Sequence, residues 1–388
     1  MRTERKTFKY KLCPTPEQDV LLAAVLQQCR ILYNLALEER RTAWKFYRKS
    51  VTYYQQKAEL PELKAAFPEF TVIPSQTAQD VIQRVDTAFQ RFFGGLKQAR
   101  RVGYPRFKPA TRYHSFVYPQ VGPERPARLD PDGTLYLSKI GSVAVIWSRP
   151  VQGIPKTITL TKEGDGWYAC ISCEEVPCSD AVKTGKITGI DVGLKTFLVT
   201  AQGETVANPR YYRHSQQRLK KRQQEVARRP KQADGSNGKN RQKSIEKLQR
   251  AHQDIARQRL DMHHKTARWL VDTYDVICYE ILTITNMLRN HRLSKSISDA
   301  GWGQFLSILV FKAASAGKQA IGVPAAYTTQ ACSNILPNGQ VCGVRSKKTL
   351  SMRTHICPSC GYVADRDHNG AGSVLHAGLR TVGRMGTG

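Results

Sequence analysis

Acidic side chains are in short supply in this chain. Only 31 Asp and Glu face 60 Lys and Arg, which leaves a formal net charge of +29 and a pI near 9.9. So basic a protein repels other cations and attracts polyanions, and nucleic acid is the commonest partner that rewards the charge. On charge alone a ribosomal-type or chromatin-like binder remains an alternative. Long apolar runs are also expected to be missing: no stretch approaches the roughly 18 apolar residues that span a bilayer. The start, MRTERKTFKYKL, has no apolar signal-peptide core. The expectation is a cytoplasmic, nucleoid-associated protein. No internal repeat and no clear low-complexity block interrupt the sequence, which sets aside a repeat array. What remains is 388 residues, enough for two or three domains with a buried core. In a reducing compartment its ten cysteines are thiols or metal ligands rather than disulfides.

Alternation from Lys6 to Lys11 predicts a strand that Pro14 ends. From Glu17 to about Lys57 the apolar positions Leu21, Leu22, Val25, Leu26, Cys29, Leu32, Leu35 and Ala36 recur at threes and fours, the period of a helix. A second helical stretch, SQTAQDVIQRVDTAFQRFFGGLKQAR, has its own apolar stripe. Between about Tyr104 and Ala181 the texture changes to short β-segments with turns at residues 131–133 and 163–166. Strands that open the chain and resume after the helices predict one small β-barrel with a helical domain inserted into it. The segment ITGIDVGLKTFLVTAQG then reads as a buried strand pair. Residues 210–260 carry 16 Lys or Arg against 4 Asp or Glu. They predict two basic helices joined by a flexible tip at KQADGSNGKN, suited to a phosphate backbone. VICYE predicts a short buried strand, WGQFLSILVFKAASAGK an apolar helix, and VPAAYTTQ the start of another strand.

Cys332, Cys342, Cys357 and Cys360 are spaced C-x9-C-x14-C-x2-C, with Gly343 and Gly361 directly after the second and fourth. Four thiolates satisfy a tetrahedral Zn²⁺, and a glycine after Cys lets the backbone turn tightly around the ion. His355 is a substitute ligand should Cys332 not serve. Cys170 and Cys173 also read C-x2-C, but they lie in an alternating strand where residues three apart point to opposite faces. Cys13, Cys29, Cys178 and Cys278 have no ligand-like company and read as packing residues.

Three acids stand where an acid is costly. Asp191 interrupts the apolar run ITGIDVGLKTF, Glu280 closes VICYE, and a third lies in ADRDHNGAG at the start of a predicted helix. A buried charge requires a partner. If the strands carrying Asp191 and Glu280 are neighbours and the last helix brings its acid alongside, the three form one carboxylate cluster. Two Mg²⁺ or Mn²⁺ ions about 3.5–4 Å apart would relieve its repulsion and support phosphodiester cleavage.

GIDVGLKTFLVT, ICYEIL and DRDHNGAGSVL, taken with KLCPTPEQ, CRILYNLAL, TAFQRFF, SISDAGWGQF and CPSCG, resemble in content and order the TnpB family. These are transposon-encoded RNA-guided DNA nucleases related to type V CRISPR effectors. The resemblance extends from about residue 5 to 380. It implies an α/β fold: an RNase H-like (RuvC) nuclease domain with a β-barrel wedge domain, an inserted helical recognition domain and a zinc-binding element. The implied division is wedge 1–16 and 104–183, recognition domain 17–103 and nuclease domain 184–325 with the basic hairpin 210–260. The zinc element 326–362, a final nuclease segment 363–380 and a disordered tail 381–388 complete it. The implied partners are a transposon-end guide RNA and double-stranded target DNA beside a short adjacent motif. Asp191, Glu280 and Asp367 match the family's metal-binding triad; Asp367 is preferred to Asp365 because DHNGA follows the family pattern. Cys332 and Cys342 depart from it, since the family's first pair is usually C-x2-C.

By the same resemblance Ser75, Gln76, Thr77 and Gln79 are candidates for reading the adjacent motif, since amides and hydroxyls reach base edges. The plain alternative there is a helix capped by Ser75. Two other functions stay in view: a non-cutting RNA-guided repressor, and a transposase or resolvase-type nuclease acting without RNA.

Overall fold

The protein is described by a computed structural model covering residues 2–98, 102–178, 180–232, 237–349 and 352–385, the side chains of 382–385 excepted. The chain divides into two compact units, Met1–Pro177 and Cys178–Gly388.

The first unit opens with β1 (Thr3–Cys13) and α1 (Pro16–Tyr47), then α2 (Tyr53–Ala58), α3 (Leu60–Ala66) and α4 (Ser75–Lys97). Six strands follow: β2 (Ser115–Tyr118), β3 (Ala127–Leu129), β4 (Thr134–Leu137), β5 (Gly141–Ile146), β6 (Ile154–Glu163) and β7 (Gly166–Pro177). They form one antiparallel sheet in the order β2-β6-β7-β1-β5-β4-β3. Because β1 sits mid-sheet between β7 and β5, the helices between β1 and β2 are an insertion into the sheet. The edge strands share no ladder among the described residues; one bridge, Val121 to Ala127, links their ends.

Alternation along β1 buries Phe8, Tyr10 and Leu12 in a core shared with Leu22, Val25, Leu32 and Leu37 of α1 and Val81, Ile82 and Val85 of α4. α1 contains a window long and apolar enough to cross a membrane, which inspection of the sequence did not reveal. Its apolar stripe is packed in this core.

The single helix expected to about Lys57 is broken. Thr15 starts α1 with a reciprocal capping box, the Gln18 N–H donating to Thr15 Oγ1 and the Thr15 N–H to Gln18 Oε1. Arg48 ends it in the left-handed region at φ 53°, returning its N–H to the Trp44 carbonyl. Thr52 and Gln55 form a second capping box that starts α2.

The second unit runs β8 (Ile187–Val192), β9 (Thr196–Thr200), β10 (Thr205–Ala207), α5 (Tyr211–Ala227) and α6 (Lys239–Thr273). β11 (Val276–Ile281), α7 (Ile284–Met287), α8 (Ser294–Ala300), α9 (Trp302–Ser315) and β12 (Gln319–Pro324) follow, then β13 (Thr354–Ile356), β14 (Val363–Asp365) and α10 (Arg366–Met385). Five strands form a mixed sheet, β10-β9-β8-β11-β12, in which β8, β11 and β12 are parallel. On one face Ile190, Phe197 and Ile277 pack with Leu270 and Val271 of α6 and Phe305 and Leu309 of α9. On the other, Cys278 and Val323 meet Val374 of α10. The sheet is thus the middle of three layers.

VPAAYTTQ closes a strand rather than opening one, because β12 ends at Pro324. Two basic helices occupy the 210–260 segment as α5 and the first half of α6, packed on one another through Leu219, Ala251 and Ile255. Of the expected tip, 231–240, residues 233–236 lie outside the described residues, and α6 begins at Lys239 within it. The expected tail from residue 381 is helical through Met385, since α10 continues; residues 386–388 lie outside the described residues.

Candidate active site and cysteine cluster

β8 and β11 run parallel with Ile190 opposite Tyr279, so Asp191 and Glu280 each follow the last paired residue at adjacent strand ends. α10 supplies the third acid. Asp365 accepts from the Asp367 N–H (2.8 Å) and the His368 N–H (3.3 Å), so it caps the first turn of α10. Asp367, one turn position on, lines the cleft with Asp191 and Glu280. The structure therefore separates two acids that spacing alone leaves equivalent.

The run Asn369-Gly370-Ala371-Gly372 explains how a helix comes so near a strand. A Cβ at Gly370 would stand 2.7 Å from Asp191 Oδ2, and one at Gly189 would stand 2.2 Å from the Ala371 carbonyl oxygen. Any side chain at either position would push α10 off β8 and carry Asp367 away from Asp191.

The cleft encloses about 760 Å³. Its lining includes Lys195, Arg210, Arg213, Lys295, Arg353 and Arg366, so six cationic side chains share one cleft with the acids. Asp191 is 9% exposed, and burial first, then the Glu280 and Asp367 charges, hold its carboxyl well above the ordinary range; Arg366 opposes them. Burial also raises Glu280, while a hydrogen bond from the Thr328 hydroxyl favours its ionised form. Three crowded carboxylates are the donor set of a hard divalent cation. Their spacing is wider than that of the thiols: among the described residues only the four cysteines gather three or more donor atoms within 4.8 Å of one another.

Asp299, on α8, was not singled out in the sequence. It accepts from the Tyr212 (2.9 Å) and Arg213 (3.4 Å) N–H groups and so caps α5 from outside, in place of Arg210, which sits at φ 48° with no capping side chain. This fixes the basic helix to the rim of the cleft. Nothing in the local pattern of SISDAGWGQF reveals a cap for a helix more than eighty residues away.

Cys332, Cys342, Cys357 and Cys360 form one cluster. The Cys332–Cys360 and Cys342–Cys357 sulfurs are each 3.7 Å apart. A tetrahedron with Zn–S bonds of about 2.3 Å has edges of about 3.8 Å, whereas a disulfide requires about 2.05 Å. The sulfur spacing thus fits a metal site. The nine-residue gap closes as a hairpin: the Ile335–Val341 bridge and the turn at Gly339 (φ 78°) fold it back, and the Cys342 N–H donates to the Asn334 carbonyl at 2.8 Å. C-x9-C then delivers its two thiols together as a short knuckle does. Burial pushes Cys332 up to about 12, while the Tyr362 amide, with help from Cys357 and Asn334, holds half-buried Cys360 near 6. His355 is fully buried outside the cluster and is not needed as a substitute ligand. Cys170 and Cys173, on β7, join no such cluster among the described residues.

In the first unit Ser75 is exposed, and Gln76 and Gln79 are half-buried, on the opening turns of α4. Thr77 is a correction: it is fully buried and its hydroxyl donates to the Val117 carbonyl at 2.8 Å, so it braces β2 rather than facing a ligand. Ser75 does not cap the helix either, because Pro74 holds that position.

Three family models match the chain: "Helix-turn-helix domain" over residues 1–49, "Probable transposase" over 170–291 and "Cas12f1-like, TNB domain" over 302–374. The described part of that span, residues 2–49, holds a strand and one 32-residue helix. A Streptomyces pristinaespiralis protein described as a candidate RNA-guided DNA endonuclease is 33% identical over 392 residues, covering 98% of this chain and 90% of that one. Escherichia coli (strain K12) InsQ, described likewise, is 28% identical over 392 residues, 96% of this chain and 92% of its own. The TnpB-like protein L79 of Acanthamoeba polyphaga mimivirus is 28% identical over 249 residues, 60% of this chain and 45% of that one. Identity of 33% sustained over nearly the full length of both chains shows that this protein belongs to the TnpB family of RNA-guided DNA endonucleases.

Proposed function

We propose that this protein binds a guide RNA and cleaves the double-stranded DNA that the guide matches, next to a short adjacent motif. The observation that carries the reading is the convergence of Asp191, Glu280 and Asp367 in one cleft that Lys and Arg side chains also line. In this reading the second unit is a RuvC-like nuclease domain, and the sheet of the first unit is the wedge into which a helical recognition domain is inserted.

Asp191, Glu280 and Asp367 would hold Mg²⁺ or Mn²⁺, and Cys332, Cys342, Cys357 and Cys360 would hold Zn²⁺. When bound, the divalent ions supply an activated water and charge stabilisation on the leaving oxygen. The chain's own residues do the rest. Lys195, Arg210, Arg213 and Lys295 draw the scissile backbone into the cleft and neutralise its neighbouring phosphates. Arg366 sits beside Asp191 and tempers the acid repulsion. α5 and α6 offer sequence-independent backbone contacts, while base pairing with the guide supplies specificity. Ser75, Gln76 and Gln79 remain the candidates for reading the adjacent motif from the first unit.

Asp191→Ala, Glu280→Ala and Asp367→Ala are each expected to reduce cleavage of guide-matched DNA by at least about a thousandfold. Guide RNA and target DNA binding should remain near wild type. Metal-dependent cutting that persists in all three variants would overturn the assignment.

A further inference from the structure

The segment from Ala325 to Ser333 joins three features that the sequence keeps apart. It leaves β12, passes over the C-terminal end of β11 and delivers Cys332 to the cysteine cluster. At its start Thr328, only 6% exposed, donates its hydroxyl to Glu280 Oε1. The same hydroxyl oxygen lies 3.1 Å from the Ala325 carbonyl oxygen, the competing acceptor for its one proton. At its far end the segment is stitched to α10. Asn369, fully buried, donates to the Ala331 carbonyl (2.8 Å) and accepts from the Ser333 N–H (3.0 Å). Ser373 and His376 add bonds to the Ala331 and Ser333 carbonyls at 3.0 Å each.

Among the described residues the Glu280 side chain has no other hydrogen-bond partner, so no second bond fixes the rotamer that keeps its carboxylate near Asp191. A carboxylate with one oxygen fixed by a hydroxyl keeps the other available and aimed. We propose that Thr328 is a positioning residue for the cleavage reaction, holding Glu280 in the orientation in which it shares a divalent cation with Asp191 and Asp367. The segment thereby locates Glu280 by its first half and α10, with Asp367, by its second. Valine in place of Thr328 keeps the volume and removes the bond; serine keeps the bond and removes only the methyl.

The inference rests on the reading of the three acids as a cation site, and the test separates the two. Mn²⁺ binding to the guide-RNA complex, followed by electron paramagnetic resonance of free Mn²⁺ without any DNA present, is compared for wild type, Thr328→Val, Thr328→Ser and Glu280→Ala. Thr328→Val is expected to weaken Mn²⁺ binding roughly tenfold, as loss of one hydrogen bond to a charged group does. It should raise the Mg²⁺ concentration for half-maximal cleavage by a similar factor while the melting temperature stays close to wild type. Thr328→Ser is expected to bind Mn²⁺ like wild type; tenfold loss there overturns the role of the hydroxyl even if the valine variant fails to fold. Unchanged Mn²⁺ affinity in Thr328→Val beside a loss in Glu280→Ala overturns the positioning role alone. Unchanged affinity in both overturns the cation site, and the inference with it.

Discussion

The two ends of β11 treat an acid in opposite ways. Just before the strand, Asp275 accepts from the Thr184 and Gly185 N–H groups at 2.9 and 2.7 Å and pairs with Lys318 at 3.1 Å. The Thr184 amide first, then Gly185 and Lys318, hold its carboxyl down at about 2. Four residues after the strand begins, Glu280 stands near Asp191 with no cationic side chain paired to it among the described residues, and both carboxyls are raised. One end is an acid satisfied by its own chain, which ties the start of β8 to β11 and β12. The other is a set of acids left for something outside the chain to satisfy. On the proposed reading, the difference is that between a structural carboxylate and a functional one.

The largest expected effect of breaking that contrast lies at the functional end, where Asp191→Asn is expected to abolish cleavage. The same change should raise the melting temperature of metal-free protein by about 2–4 °C, because a neutral amide removes both repulsion and a desolvated charge. A lowered melting temperature in thermal denaturation would place Asp191 with the structural acids. At the structural end, Asp275→Asn should lower the melting temperature, since it leaves the Lys318 ammonium, whose side chain is 1% exposed, without its counter-charge. The pH dependence follows from a depressed folded-state carboxyl. The stabilisation from Asp275 is present above the ordinary Asp value near 4 and is lost as pH falls toward about 2. Acid unfolding curves of wild type and Asp275→Asn should therefore converge in that window and separate above it; curves that stay parallel throughout would contradict the assignment. The smallest effect on the sheet itself is expected from zinc chelation. It should release the segment around Cys332 and lower the affinity for Mn²⁺ through Thr328, while far-ultraviolet circular dichroism changes little.

Much of this contrast is legible in the sequence. Asp191 and Glu280 announce themselves by interrupting apolar strands, and the Cys357–Cys360 pair by its spacing and trailing glycine. Other features depend on partners far along the chain. Asp365 and Asp367 differ only in which faces the cleft, a matter settled by where α10 meets β8. Cys332 and Cys342 become a pair only once the turn at Gly339 has folded. Thr77 is polar and helical in sequence, and only β2 packed above it shows that its hydroxyl is already used. Thr328, Asn369 and Asp299 carry no local periodicity at all; each acts on a segment reached through the tertiary fold. The helix break at Arg48 has a local signal in the second capping box at Thr52 and Gln55, whereas the apolar positions that carry the helical reading stop at Ala36 and do not mark where the helix ends.

The most direct test of the functional end is anomalous diffraction from crystals of the guide-RNA complex soaked in Mn²⁺. The account predicts anomalous density in contact with Asp191, Glu280 and Asp367, lost when Asp191 is replaced by Asn. Density confined to other acids, with those three carboxylates bare at saturating Mn²⁺, would contradict it.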